Sequence, residues 1–204
     1  SIVILTGQTE NFTISGNAGV DQVTGGSGND NITGGASNDI LIGGAGADTF
    51  NIDAGIDTIS DLTTNDVLIV SSGATVNASN VSTFVATSGT SNSGTANITS
   101  ASGGSTITLT SSASGGYTIL GQGGVDIITG ASGNDTITGN GSNDVLSGGN
   151  GDDNLTGGAG DDIITGGTGN DIINVNTGTD TVTDLGGSGG SESDVVVVAS
   201  GATL

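Results

Sequence analysis

An all-β solenoid is the architecture expected of this 204-residue chain, and three features carry the expectation. Aspartates recur at every ninth position in two separate arrays, an apolar residue follows each of them two places later, and the residues between are dominated by glycine, of which there are 41. A short fixed period with one inward position per repeat marks a chain that winds in equal coils around a thin continuous core.

The first array runs through Asp21, Asp30, Asp39, Asp48, Asp57 and Asp66, with Val23, Ile32, Leu41, Phe50, Ile59 and Leu68 as the paired apolar residues. The second runs through Asp126, Asp135, Asp144, Asp153, Asp162, Asp171 and Asp180, with Ile128, Ile137, Leu146, Leu155, Ile164, Ile173 and Val182. A longer period lies above this one. Residues 12–39 align with 117–144 at an offset of 105, with 18 of 28 positions identical, and both copies place serine where glycine is usual, at Ser37 and Ser142. Shared irregularities indicate duplication. The run Ser1-Ile2-Val3-Ile4-Leu5-Thr6 resembles Ser105-Thr106-Ile107-Thr108-Leu109-Thr110, so the chain reads as a stretch of a longer tandem-repeat protein.

Residues 67–125 lie between the arrays and contain no charged residue. Alternation such as Val81-Ser82-Thr83-Phe84-Val85 and Ile107-Thr108-Leu109-Thr110 predicts strands broken by Gly-Ser turns. A flexible Ser/Gly linker is the competing reading, and the period-2 pattern favours ordered β-structure over it.

Composition removes whole classes of function. The chain has no Lys, Arg, His or Cys and a formal charge of −21. Without cations it has nothing to neutralise phosphates or anionic lipid, so nucleic acid is excluded as a partner. No apolar run approaches the roughly 20 residues that cross a bilayer, so membrane insertion is not expected. Without His or Cys there is no zinc, haem or iron–sulfur ligand set, no Ser-His or Cys-His nucleophile pair and no disulfide framework. Hard oxygen ligands remain. Catalysis is not expected either, since nearly every carboxylate already has a place in the repeat and aromatic residues make up 2% of the chain. No targeting signal is visible at Ser1-Ile2-Val3-Ile4-Leu5.

Gly25-Gly26-Ser27-Gly28-Asn29-Asp30-Asn31-Ile32-Thr33, Gly157-Gly158-Ala159-Gly160-Asp161-Asp162-Ile163-Ile164-Thr165 and Gly166-Gly167-Thr168-Gly169-Asn170-Asp171-Ile172-Ile173-Asn174 resemble the GGxGxDxUx repeat of the RTX (haemolysin-type) calcium-binding proteins. That resemblance implies a right-handed parallel β-roll in which each nonapeptide gives a calcium-binding turn and a short strand, two of them completing a coil. The expected organisation is then two tandem rolls joined by an uncharged β-rich connector. Residues 1–11 would end a preceding connector, 12–76 form the first roll with its closing strands, 77–116 form the connector, and 117–204 form the second, longer roll.

If two nonapeptides make a coil, turns 18 residues apart stack, and one Ca2+ is expected between each stacked pair. Asp30 would share an ion with Asp48, Asp135 with Asp153 and Asp153 with Asp171 on one edge. Asp21 would pair with Asp39, Asp126 with Asp144, Asp144 with Asp162 and Asp162 with Asp180 on the other. By resemblance, carbonyls of the second and fourth turn residues complete the shell: Gly26 and Gly28, Gly44 and Gly46, Gly149 and Gly151, Gly158 and Gly160, Gly167 and Gly169. Asp57 and Asp180 are ligands of the closing repeats, Asp66 and Asp194 weaker ones, and fifth-position Asp152 and Asp161 are expected to brace the turn or face solvent. Ala131 is expected to loosen its site, because alanine resists the positive φ that glycine allows. The inward apolar residues are few, so folding and metal binding are expected to be one event.

The function these features imply is that of a secreted calcium-binding structural repeat protein at a bacterial cell surface, in a surface layer or filament, associating with other copies or neighbouring repeats. The alternatives are the calcium-stiffened extender of an RTX adhesin and the secretion and folding module of an exported enzyme. On the second roll, Ile127, Val145, Ile163 and Thr181 are expected to form one outward row, which lateral packing would bury.

Overall fold

In the computed structural model, which describes residues 1–111, 115–185 and 192–204, the chain winds as one parallel β-solenoid with no helix among the described residues. The short strands follow from the repeat. β-branched and other apolar residues occupy the three positions after each turn, where the middle side chain points inward and its neighbours point out.

One long sheet runs the length of the molecule. Its eleven strands are Ile2–Ile4, Gln22–Gly26, Ile40–Gly44, Ile56–Ile59, Thr75–Val81, Thr95–Ser100, Tyr117–Leu120, Thr136–Gly141, Asn154–Ala159, Ile172–Val175 and Val195–Val198. Every neighbouring pair is parallel, and within the arrays the register advances by 18 residues, as in Gln22↔Ile40 and Thr136↔Asn154. The opposite side is divided between two sheets. Thr13–Ser15, Asn31–Thr33, Thr49–Ile52, Val67–Val70 and Ser91–Asn92 form the first, and Thr83–Val85, Thr106–Thr108, Ile127–Thr129, Val145–Asn150, Ile163–Thr168 and Thr181–Asp184 form the second. A small two-stranded sheet joins Gly178–Thr179 to Ala202–Thr203.

The expected pair of rolls with a connector between them is therefore drawn together into a single stack. The uncharged segment supplies strands Thr75–Val81 and Thr95–Ser100 to the long sheet without interrupting it. Coils are longer here. Thr75↔Thr95 spans 20 residues and Ala96↔Tyr117 spans 21. The extra length gives one coil three sides: after Thr75–Val81 the chain passes through Thr83–Val85, which starts the second short sheet, and then Ser91–Asn92, which ends the first. Residues 112–114, inside the expected connector, and 186–191, in the expected closing segment, lie outside the described residues.

The core is built from inward side chains of the long sheet and of the two sheets that face it. Val23, Ile32, Leu41, Phe50 and Ile59 in the first array, and Ile128, Ile137, Leu146, Leu155, Ile164 and Ile173 in the second, are all buried. The outward row Ile127, Val145, Ile163 and Thr181 forms as expected through consecutive pairings, with a register shift after Ile164. Ile127, Val145 and Ile163 are each more than one-third exposed.

Candidate metal centre

Six-residue turns join the two sides of each coil, and the turns stack in two columns along the edges. Their backbone needs left-handed conformations, which glycine supplies: in the turn 157–162, Gly158 has φ 116° and Gly160 has φ 135°. Where the sequence departs from glycine, Asn17, Ser37, Asn140 and Ser142 adopt positive φ nonetheless. Ala131 does not, and its turn has a different conformation.

All thirteen in-register aspartates are buried, none more than 2% exposed. All but Asp126 accept a main-chain nitrogen through Oδ1. The backbone N–H of one aspartate donates to Oδ1 of the aspartate 18 residues later: Asp21 to Asp39, Asp30 to Asp48, Asp39 to Asp57 and Asp48 to Asp66, at 2.8–2.9 Å. The second array repeats the pattern at 2.7–2.9 Å, Asp126 to Asp144, Asp135 to Asp153, Asp144 to Asp162, Asp153 to Asp171 and Asp162 to Asp180. Asp171 continues it to Asp194 across a 23-residue step, at 2.9 Å. Every aspartate pair expected from the 18-residue stacking is thus in contact.

A second ladder runs beside the first in the opposite sense. Fifth-position side chains accept N–H groups from the following coil: Asp152 takes Asn170 N–H at 2.8 Å, Asp161 takes Thr179 N–H at 2.8 Å, and Asn134 takes Asp152 N–H at 3.0 Å. Asp152 and Asp161 therefore brace the stack, one of the two roles expected for them.

The other carboxylate oxygen is what makes the columns chemically unusual. Oδ2 of Asp21, Asp30, Asp39, Asp57, Asp144, Asp153, Asp162, Asp171 and Asp180, and Oδ1 of Asp126, are buried without a hydrogen-bond partner. An orphaned buried carboxylate oxygen is costly, and this chain has no side-chain cation to offset it. Burial, reinforced by neighbouring carboxylates, pushes Asp48, Asp57 and Asp144 up to about 6 and Asp153 to about 7. Burial raises Asp162 and Asp171 as well.

The site residue that the sequence reading missed is the first glycine of each turn. A Cβ at Gly157 would run into Asp162 Oδ2, and one at Gly148 would meet both Asp153 Oδ2 and the Gly166 carbonyl. The same cradle occurs at Gly16, Gly25, Gly34, Gly43, Gly121, Gly130, Gly139 and Gly166. The signal was present, since these ten turns all begin with glycine while their second position varies among Gly, Asn, Gln and Ala. First-position carbonyls such as Gly43 beside Asp30 and Gly166 beside Asp153 thus lie next to the orphaned oxygens. Of the second-position carbonyls, Gly26 accepts the Ala45 N–H at 2.9 Å and Gly158 the Thr177 N–H at 3.0 Å. Fourth-position carbonyls of Gly28, Gly151 and Gly160 point along the stack toward Gly46, Gly169 and Gly178.

Two turns differ. Asp66 accepts Asp48 N–H through Oδ1 and both Thr63 N–H, at 2.7 Å, and Thr63 Oγ1, at 3.0 Å, through Oδ2. Asp135 accepts Tyr117 N–H and Ala131 N–H, each at 2.6 Å. Both carboxylates are internally satisfied, one beside the three-sided coil and the other in the turn that carries alanine.

The donor set suits a hard divalent cation. Among the described residues no point gathers three or more carboxylates, so each position offers acidic side chains from two stacked turns, with backbone carbonyls close by. Calcium takes six to eight oxygens in flexible geometry, whereas magnesium demands a tighter octahedron. Such an ion would supply the positive charge that the buried oxygens lack.

Residues 15–50, 120–155 and 147–182 match the model of the RTX calcium-binding nonapeptide repeat (4 copies). No curated protein matches the chain.

Proposed function

The chain belongs to the RTX calcium-binding nonapeptide repeat family, and we propose that it is an extracellular structural rod whose two arrays fold and stiffen on binding Ca2+ between stacked turns. The observation that carries this reading is the pair of columns of buried aspartates, ten of which keep one oxygen without a partner. Asp30 with Asp48, Asp144 with Asp162 and Asp153 with Asp171 are its central ligand pairs, completed by turn carbonyls. Ion affinities in the extracellular range would leave the arrays unfolded where calcium is scarce and fold them after export.

Its place is a bacterial cell surface, as part of a surface layer or filament, and its role is mechanical rather than catalytic. The uncharged row Ile127, Val145 and Ile163 supports lateral association with another copy, because the acidic columns lie on the turn edges and leave this face without charge. The long sheet running through both arrays equally supports the extender of an adhesin, a rod that holds a binding domain at a distance. Calorimetric titration of metal-stripped protein with calcium, followed by sedimentation in calcium, tests the reading. Cooperative uptake of several ions with gain of β signal is expected. Absence of calcium binding at millimolar concentration would overturn it. A V145D/I163D variant that binds calcium normally but no longer associates would assign the lateral face.

A further inference from the structure

We propose that the uncharged coils between the arrays form a core that folds without calcium and serves as the template on which both arrays are built. The distribution of orphaned oxygens carries this. They occur on Asp21, Asp30, Asp39 and Asp57 of the first array and on Asp126, Asp144, Asp153, Asp162, Asp171 and Asp180 of the second, whereas Asp66, where the first array meets the central segment, has none and residues 67–125 carry no charge at all.

Neutral side chains hold the turns of this segment. Asn92, 2% exposed, accepts the Gly94 N–H at 3.0 Å through Oδ1 and donates from Nδ2 to the Gly116 carbonyl at 2.5 Å. Ser105 Oγ accepts the Ala101 N–H at 3.0 Å, and Asn97 donates to Asn77 across neighbouring strands at 2.9 Å. These bonds do for the central coils what a cation would do for the arrays. The segment is bordered by the two internally satisfied carboxylates, Asp66 with Thr63 and Asp135 with Ala131. Asp126, at the same border, has one oxygen within reach of Ser100 Oγ and Gln122 N–H.

Packing points the same way. The array coil 144–161 buries two large apolar side chains, Leu146 and Leu155, whereas the central coil 75–94 buries three, Val76, Val81 and Phe84, and the next, 95–116, buries Ile98, Ile107 and Leu109. More apolar area per coil, with no repulsion between buried carboxylates, leaves this segment the most stable part of the metal-free chain. In a solenoid each coil contacts only its neighbours, so a folded segment presents two ready edges, Thr75–Val81 and Tyr117–Leu120, on which the next coils pair. The first array then grows toward the N-terminus and the second toward the C-terminus.

Hydrogen exchange of the full chain, stripped of metal and held in chelator, tests this. Amides within 75–108 and 115–120 are expected to exchange at least about tenfold more slowly than those of both arrays, as a locally stable unit does. Uniform exchange along the chain would overturn the proposal. This measurement involves no calcium, so its failure is distinct from a failure of the arrays to bind the ion. The template role is read from variants. F84D is expected to abolish the central protection and raise the calcium midpoint for ordering both arrays several-fold, while L155D leaves the central protection intact and affects the second array alone. An unchanged midpoint for the first array in F84D would overturn the template role.

Discussion

The backbone N–H of Asp153 donates to Oδ1 of Asp171 at 2.8 Å, so each sixth-position carboxylate is anchored by the coil before it through one oxygen. The second oxygen of both residues is left bare in a buried position. One carboxylate thus does two jobs. It sets the vertical register of the stack, as a side-chain acceptor replacing a ladder carbonyl, and it presents charge where only a bound cation can meet it.

The two ladders separate these jobs by position. Asp153→Asn keeps an acceptor for Asp135 N–H but removes the charge shared by the turns above and below, so loss of two calcium ions per chain is expected in calorimetric stoichiometry. Asp152→Asn keeps the acceptor for Asn170 N–H and should leave the ion count unchanged. Asp152→Ala would lose that brace, at about 1 kcal/mol of stability, again with no ion lost. Equal ion losses at 152 and 153 would show the register to be wrong.

The cradle at the first turn position makes a sharper distinction. Gly157→Ala places a methyl group against the Asp162 carboxylate, and should weaken the adjoining calcium sites about tenfold or more, the scale on which disturbed metal surroundings act. Ala159→Ser, at the exposed third position of the same turn, should change neither the calcium midpoint nor the melting temperature.

Asp135 gives the opposite case. Its Oδ2 already accepts the Ala131 N–H, so calcium must compete with an internal bond. Ala131→Gly lets the turn adopt the positive φ of its counterparts, which draws its N–H away from Asp135, and should tighten calcium binding at this site. Calcium titration reads the effect. Unchanged affinity would show that the Ala131–Asp135 bond is not what restrains the site.

Much of this was legible in the sequence because the repeat is its own alignment. The 18-residue register and the aspartate pairs follow from the nine-residue period once the resemblance supplies two nonapeptides per coil, and bracing was one of two roles open to Asp152 and Asp161. What was hidden has a physical cause in each case. The union of both arrays into one stack depends on long-range pairing of Thr75–Val81 with Thr95–Ser100, which no local spacing reveals. Satisfaction of Asp66 by Thr63 is turn chemistry outside the repeat pattern. The first-position glycines were visible, but their reason is a side chain five residues further on, folded back into the space a Cβ would fill.

The final prediction concerns pH, and its sign follows from the direction of the carboxylate shifts. Burial raises Asp48, Asp57, Asp135 and Asp144 to about 6 and Asp153 to about 7, from an ordinary value of 3.8. Between pH 4 and 7 the metal-free folded chain therefore holds more protons than the unfolded chain, and its stability must fall as pH rises. The contribution is complete below about pH 4 and is lost as pH passes through 6 to 7. Metal-stripped protein should then have more β signal and a higher melting temperature at pH 5 than at pH 8, read by circular dichroism. With calcium the dependence reverses, because the ion and the protons compete for the same oxygens: apparent affinity should rise from pH 5 to pH 8, and binding at pH 6.5 should release protons, counted by calorimetry in two buffers of different ionisation enthalpy. Metal-free stability that stays flat or increases from pH 5 to pH 8 would mean that the buried carboxylates are charged and otherwise compensated, and the case for a cation between the turns would lose its electrostatic basis.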